Sequence, residues 1–186
     1  MTESLQLVPA RDRPDLLAPA VSAALGAWAA PTSVNAIEVA EIDPDAADTA
    51  DFCARYGLAL EDSANCVVVA GRRGGNTTYA ACVVLATTRV DVNGTVRRHL
   101  ESRKASFAPM DDAVRETGME YGGITPIGLP ATWPVLVDPR VVEREHVVVG
   151  SGLRRSKLLL PGAVLGQLPG SLVLEGLAVA DQAASA

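Results

Sequence analysis

Aromatic side chains are scarce in this chain: two phenylalanines, three tyrosines and two tryptophans among 186 residues. With 48% of the residues apolar, Val, Leu, Ile and Ala must fill the core. Val-rich runs favour strands and Ala-rich runs favour helices. No aromatic platform for stacking bases is evident, which argues against general single-strand binding. Positive charge is also short. At a net charge of −6, attraction to bulk nucleic acid is not a property of the whole chain, so any RNA contact must be local. Cys53, Cys66 and Cys82 are odd in number and show no C-x-x-C spacing, and neither His99 nor His146 completes a zinc pattern with them. They read as reduced core thiols, with no metal site. No apolar run reaches about 18 residues, the length of a membrane span, and no charged-then-apolar signal segment opens the chain. The expectation is a soluble, cytoplasmic, single-domain protein without a membrane partner.

Glycine and proline, by contrast, crowd into one place. Residues 119–130 read Met-Glu-Tyr-Gly-Gly-Ile-Thr-Pro-Ile-Gly-Leu-Pro. Such a run cannot be a helix interior and makes a poor central strand. Glycine permits positive φ or close approach, and proline stiffens the turn that follows. The expected product is a rigid loop whose bare amides at Gly122 and Gly123 can face a carbonyl or a developing oxyanion. An ordinary tight connection is the alternative reading.

Around this loop the sequence predicts short strands with helices between them. A helix opens at Arg13-Pro14-Asp15 and ends at Pro31, with Leu17, Val21, Leu25 and Trp28 on one face. A strand at 34–40 follows, then a helix over 46–56 stopped by Gly57. Residues 65–70 and 77–87 form a hairpin with a loose, glycine-rich tip. Asp91 caps a helix over 92–100, a strand covers 104–108, and a short helix stops at Gly118. Strands at 133–138, 146–150 and 158–160 come after the loop, then a helix from Pro161 to Leu168 and a last strand at 173–177. The pattern is not strictly βαβ and points to an α/β (α+β) domain with a mixed sheet or partly closed barrel. Residues 1–40 are expected to pack on a core domain of 41–178, with a disordered tail at 179–186.

The order of these elements and three of their sequences resemble the YbaK/EbsC/ProX family of aminoacyl-tRNA editing domains, over about residues 43–177. The matching stretches are Gly122-Gly123-Ile124-Thr125-Pro126, Pro134-Val135-Leu136-Val137-Asp138 and Val149-Gly150-Ser151-Gly152-Leu153-Arg154-Arg155. The resemblance implies a compact domain around a mixed, barrel-like sheet, and hydrolysis of the ester of mischarged tRNA. It implies no cofactor, and as partners the tRNA acceptor end and an aminoacyl-tRNA synthetase. With no synthetase domain in the chain, the action would be in trans. Monomer and homodimer both stay open.

One departure stands out. The family usually carries a lysine, tied to substrate phosphate and catalysis, where this chain has Asn65. Asparagine hydrogen-bonds but carries no charge. Either another cation such as Arg154 or Lys157 serves, or the chain is a non-catalytic module that binds an aminoacyl or nucleotide-like ligand.

An aminoacyl ester is already activated, so a placed water, oxyanion donors and a fitted pocket suffice. Under the resemblance, Asn65, Gly122, Gly123, Ile124, Thr125, Pro126 and Asp138 form the catalytic set. Thr125 would orient water and Asp138 would bind the substrate's amino group. Cys66, Thr87, Tyr121, Gly150, Ser151, Gly152, Arg154, Arg155 and Lys157 would bind the substrate. Plainer roles stand beside these: a turn for Asp138 and Ser151, a strand-end cap for Asn65, core packing for Cys66.

Overall fold

The computed structural model describes residues 3–28 and 34–180. Its longest feature is the hairpin of β3 (Ala64–Arg73) and β4 (Asn76–Leu85), paired from Ala64 opposite Leu85 to Arg73 opposite Asn76. Gly74 and Gly75 alone make the turn, both at positive φ (57° and 87°). Two successive positive-φ residues match the right-handed twist of the strands, so the expected loose tip is a tight two-residue turn. The other edge of β3 carries β6 (Lys104–Phe107), antiparallel and opposite Val69 to Arg72 only. On the far side, β7 (Val135–Val137) runs parallel to β4, and β10 (Ser171–Val173) parallel to β7.

A second sheet has the order β1 (Val8–Pro9), β2 (Glu38–Glu41), β9 (Ser156–Leu160), β8 (Val147–Gly150), all antiparallel. A lone bridge between Ser63 and Val148 ties the two sheets at one corner. A ribbon of β5 (Thr88–Val90) and β11 (Ala178–Ala180) completes the β structure. Both larger sheets end in edge strands, so the mixed architecture is open and the barrel-like closure does not form. Val, Leu and Ala from the facing sides of the two sheets make the main core, including Val83, Val137, Val149 and Leu158. A second apolar cluster lies on the opposite face of the long sheet, where Val92 and Val96 cover Val69, Cys82 and Leu136.

Helix ends follow their local chemistry. Helices α2 (Thr49–Tyr56) and α3 (Met110–Thr117) stop at Gly57 and Gly118, both left-handed. The Asp91 carboxylate accepts from the Gly94 and Thr95 amides and opens the following turn. Elsewhere the structure corrects the sequence reading. The first long helix is α1 (Pro19–Ala27), and residues 10–16 make only short 3-10 turns. Arg13 and Ala18 each precede a proline, which drives both out of the helical region and delays the start. Leu17, Val21 and Leu25 are buried as the periodicity required. Pro31 lies outside the described residues. The strand expected at 34–40 begins only at Glu38. The expected final strand at 173–177 is instead two strands, β10 before it and β11 after it. Val179 and Ala180, expected in a disordered tail, are held with Ala178 against Arg89, Thr88 and Val90; the rest of that tail lies outside the described residues.

Candidate active-site cleft

The Gly/Pro loop is seated by main-chain bonds, with side-chain support from the Glu120 carboxylate, which accepts from the Arg154 amide at 2.7 Å. The Gly152 amide donates to the Gly123 carbonyl at 2.7 Å, and the Glu120 amide donates to the Gly152 carbonyl at 2.9 Å. A side chain at Gly123 would meet the Leu153 backbone at 2.7–2.8 Å, and one at Gly150 would run into the Gly123 carbonyl. Two main chains therefore touch where residues 122–124 cross the turn after β8, which requires glycine on both sides. Gly122 has φ of 79° and lies beneath the Arg154 guanidinium.

This crossing forms one wall of a cleft of about 440 Å³. The opposite walls are the start of α2 (Asp48, Thr49, Phe52) and the first residues of β3. β6 pairs with β3 only from Val69 onward, and the Ser63–Val148 bridge closes its start. The edge at Asn65, Cys66 and Val67 is left open and half-buried beside the cleft.

The cleft is rich in hydrogen-bond donors that the protein does not use. Among the described residues, the Gly122 and Ile124 amides have no acceptor, whereas the Gly123 amide donates to the Glu120 carbonyl at 3.0 Å. Asn65 accepts from the Thr49 hydroxyl at 2.8 Å through Oδ1, an orientation that leaves its NH₂ unused. Lys157, on β9 opposite Gly150, is only 8% exposed. Its ammonium donates to the Ala47 carbonyl at 2.7 Å and sits 5.6 Å from the centre of the Phe52 ring. No carboxylate lies within ion-pair distance of it among the described residues. Burial pushes Lys157 down to about 8, against an upward pull from Asp48 and a further downward push from Arg154. Among the described residues, Asp48 is the one carboxylate lining the cleft, and it is exposed.

Of the residues anticipated from sequence, Asn65, Cys66, Tyr121, Gly122, Ile124, Gly150 and Lys157 line this cleft. Gly123 and Gly152 support it from behind, and Arg154 reaches over its rim to the carbonyls of Tyr121 (3.3 Å) and Pro44 (3.2 Å). The others lie elsewhere. Asp138 ends β7 away from the cleft, and its carboxylate accepts from Arg140 and from the Ala178 amide. Ser151 is buried against Ser156 (2.7 Å between hydroxyls), and Arg155 donates to the Asp15 carbonyl on the outside. Pro126 lines a separate apolar hollow with Trp28 and Trp133, and Thr87 sits in the turn before β5. Thr125 is fully buried, and its hydroxyl has no partner among the described residues. The Cys66 thiol is pushed far up by burial and then by Cys82, which opposes a thiolate even though the strand edge beside it is open.

A family model described as "Aminoacyl-tRNA editing domain" matches residues 43–168. The chain belongs to this family. The editing domain spans the whole cleft, from the cap of α2 through Lys157. Among solved structures, a candidate trans-editing enzyme for prolyl tRNA synthetase matches at 20% identity, covering 85% of this chain and 96% of its own, with a TM-score of 0.68. A hypothetical protein matches at 20% identity over 77% of this chain and 92% of its own, with a TM-score of 0.66. A protein used as an epitope-grafting scaffold matches at 19% identity over 84% and 94%, with a TM-score of 0.69. These likenesses establish the fold. No curated protein matches the sequence. Among the described residues, no helix of the editing domain is long and apolar enough to cross a membrane, and no three His, Cys, Asp or Glu side chains gather as metal ligands.

Sequence reasoning missed Asp48, Thr49, Phe107 and Met110 as lining residues. Asp48 could have been found as the polar residue before a helix start. The other three carry no local signal, because only tertiary pairing brings them to the cleft.

Proposed function

We propose that this chain hydrolyses the ester of a mischarged aminoacyl-tRNA as a free-standing deacylase. The observation that carries the reading is the set of spare donors on residues that line one cleft: the Gly122 and Ile124 amides, the Asn65 NH₂ and the N–H groups of the Lys157 ammonium beyond the one given to Ala47. Ester hydrolysis places negative charge on the carbonyl oxygen as water adds, and preformed donors stabilise that charge without reorganising. Water adds to the carbonyl carbon, the bond to the ribose oxygen breaks, and that oxygen takes the proton. The products are a free amino acid and a free ribose hydroxyl.

In this scheme Gly122 and Ile124 face the developing oxyanion. Lys157 supplies the positive charge that Asn65 lacks and holds a phosphate or the ester oxygen. Asn65 bonds the terminal ribose. Asp48 takes the substrate's α-ammonium, the part anticipated for Asp138, whose oxygens are occupied elsewhere. A cleft of about 440 Å³ accommodates an aminoacyl group with its ribose. The partners of this reading are the acceptor end of tRNA and the synthetase whose errors it corrects.

Asn65 also favours a second reading, a binding module without catalysis. Deacylation of a panel of mischarged tRNAs separates the two, run beside Gly123→Ala. Wild-type hydrolysis above the buffer rate, reduced at least tenfold when a methyl group forces the loop off Leu153, supports the enzyme. A flat panel with retained ligand binding supports the module.

A further inference from the structure

Five of the seven aromatic residues are packed inward: Phe52 against Tyr56, Tyr79 against Trp133, and Trp28 onto the core. The two that remain, Phe107 and Tyr121, are 60% and 59% exposed, and both line the mouth of the same cleft beside the exposed Met110. They are brought together by the pairing of β6 with β3 and by the crossing of the Gly/Pro loop. A chain this poor in aromatics gains no stability from leaving two of them in water, and exposed apolar groups gathered at one opening mark a contact surface.

The same strand leads to an unpaired cluster of positive charge. Ala105 and Phe107 are two residues apart and therefore share a face of β6, about 7 Å from each other. Ala105 lines a shallow groove whose other walls are Asn93, Arg97, Arg103 and Lys104. Arg72 stands directly across from Lys104 in the pairing. Among the described residues none of these four cations is in an ion pair; the nearby Glu101 faces Arg73, at 4.0 Å. β6 is an edge strand, so among the described residues no further strand pairs along this line from the cleft mouth to the groove. In a protein of net charge −6, four unpaired cations beside exposed aromatic rings are a local departure that matches a polyanion carrying flat, stackable groups.

We propose that the outer edge of β6 is a docking track for the single-stranded 3′ end of an RNA. Phe107 and Tyr121 stack its last bases at the cleft mouth, and Arg72, Arg97, Arg103 and Lys104 hold the phosphates that precede them. The track rests on the aminoacyl-tRNA reading for its biological ligand, yet it binds uncharged RNA and so can be tested without hydrolysis.

The measurement is fluorescence-anisotropy binding of a short single-stranded RNA ending in adenosine, titrated across salt concentrations. Phe107→Ala weakens binding roughly tenfold, and Phe107→Tyr, which keeps the ring, restores it. Arg103→Ala with Lys104→Ala lowers the salt slope of log K by about 1.4. All these side chains are on the surface, and unchanged melting temperatures exclude unfolding as the cause. Three results overturn the track: equal binding by Phe107→Ala and wild type, an unchanged salt slope in the double variant, or equal affinity for heparin, which has charge but no bases. A protein that binds this RNA as described while deacylating no mischarged tRNA keeps the track and loses the proposed reaction; the reverse outcome loses only the track.

Discussion

Asp138 and Lys157 are the two charged side chains, among the described residues, that the interior takes in, at 2% and 8% exposure. Their surroundings are opposite. Asp138 accepts from the Arg140 amide (3.1 Å), its Nε (2.8 Å) and its Nη2 (3.1 Å), and from the Ala178 amide (3.1 Å). Every direction in which that carboxylate can accept is used, and the bonds tie β7 to the helix turn Pro139–Val142 and to β11. Lys157 has one carbonyl and the neighbourhood of a ring, with a cleft on its open side. Burying a charge is costly unless it is fully paired. The first residue meets that condition and holds the fold together. The second fails it, and the proposed substrate is what would meet the deficit.

The sharpest way to break this contrast is to truncate both residues. Asp138→Ala leaves the Ala178 amide without its acceptor and a half-exposed Arg140 with only the Ala178 carbonyl, and should lower stability by roughly 2–4 kcal/mol, read as a melting temperature down by about 5–15 °C. The folded fraction should keep its deacylation rate, because no oxygen of Asp138 reaches the cleft. Lys157→Met should do the reverse. It removes a desolvated charge and keeps the stem that packs on Phe52, so stability should hold or rise, while hydrolysis of mischarged tRNA drops roughly a hundredfold. Loss of stability without loss of rate in Lys157→Met would make the lysine structural and erase the distinction.

A smaller effect tests the same point through pH. Lys157 is pushed down to about 8 in the folded chain from an ordinary 10.5. Its positive charge is therefore present below about 8 and fades above it. After subtraction of the buffer rate, KM for mischarged tRNA should rise roughly tenfold between pH 7 and 9, and it should stay flat across that range in Lys157→Met. Stability carries the opposite sign. The unfolded chain binds this proton more tightly, so the lysine's burial costs stability below about 8 and the penalty is relieved as pH rises from about 8 towards 10.5. Urea unfolding across that interval should show the relief in the wild type and none in Lys157→Met.

What could be read in advance divides along similar lines. Gly57, Gly118 and Asp91 announced helix boundaries, because capping is settled within a few residues of chain. The Val-rich strands and the Gly/Pro loop were equally local and equally legible. The parallel pairing of β7 with β4 was not, nor was the use of 178–180 as a strand, since each depends on a partner about fifty or more residues away. The candidate site was legible by half. Asn65, Gly122, Ile124 and Lys157 carry chemistry in their own motifs, and the fold brings them to one cleft. Asp138 and Ser151 have the same kinds of side chain in equally suggestive motifs, and only the structure reveals that their hydrogen bonds are already spent inside. A polar residue's type says what it can bind, but its satisfied neighbours decide whether it still needs to.

The contact between Gly123 and the Leu153 backbone involves no side chain on either strand of the crossing. Its side-chain supports sit outside the contact itself, in the Ser151 hydroxyl bonded to Leu153 and the Glu120 carboxylate bonded to the Arg154 amide. A single added carbon at Gly123 or Gly150 displaces it. Pocket-lining residues outside the crossing, such as Val67, Met110 and Ala113, can thus change size and retune which ligand fits without touching the contact that holds the loop amides.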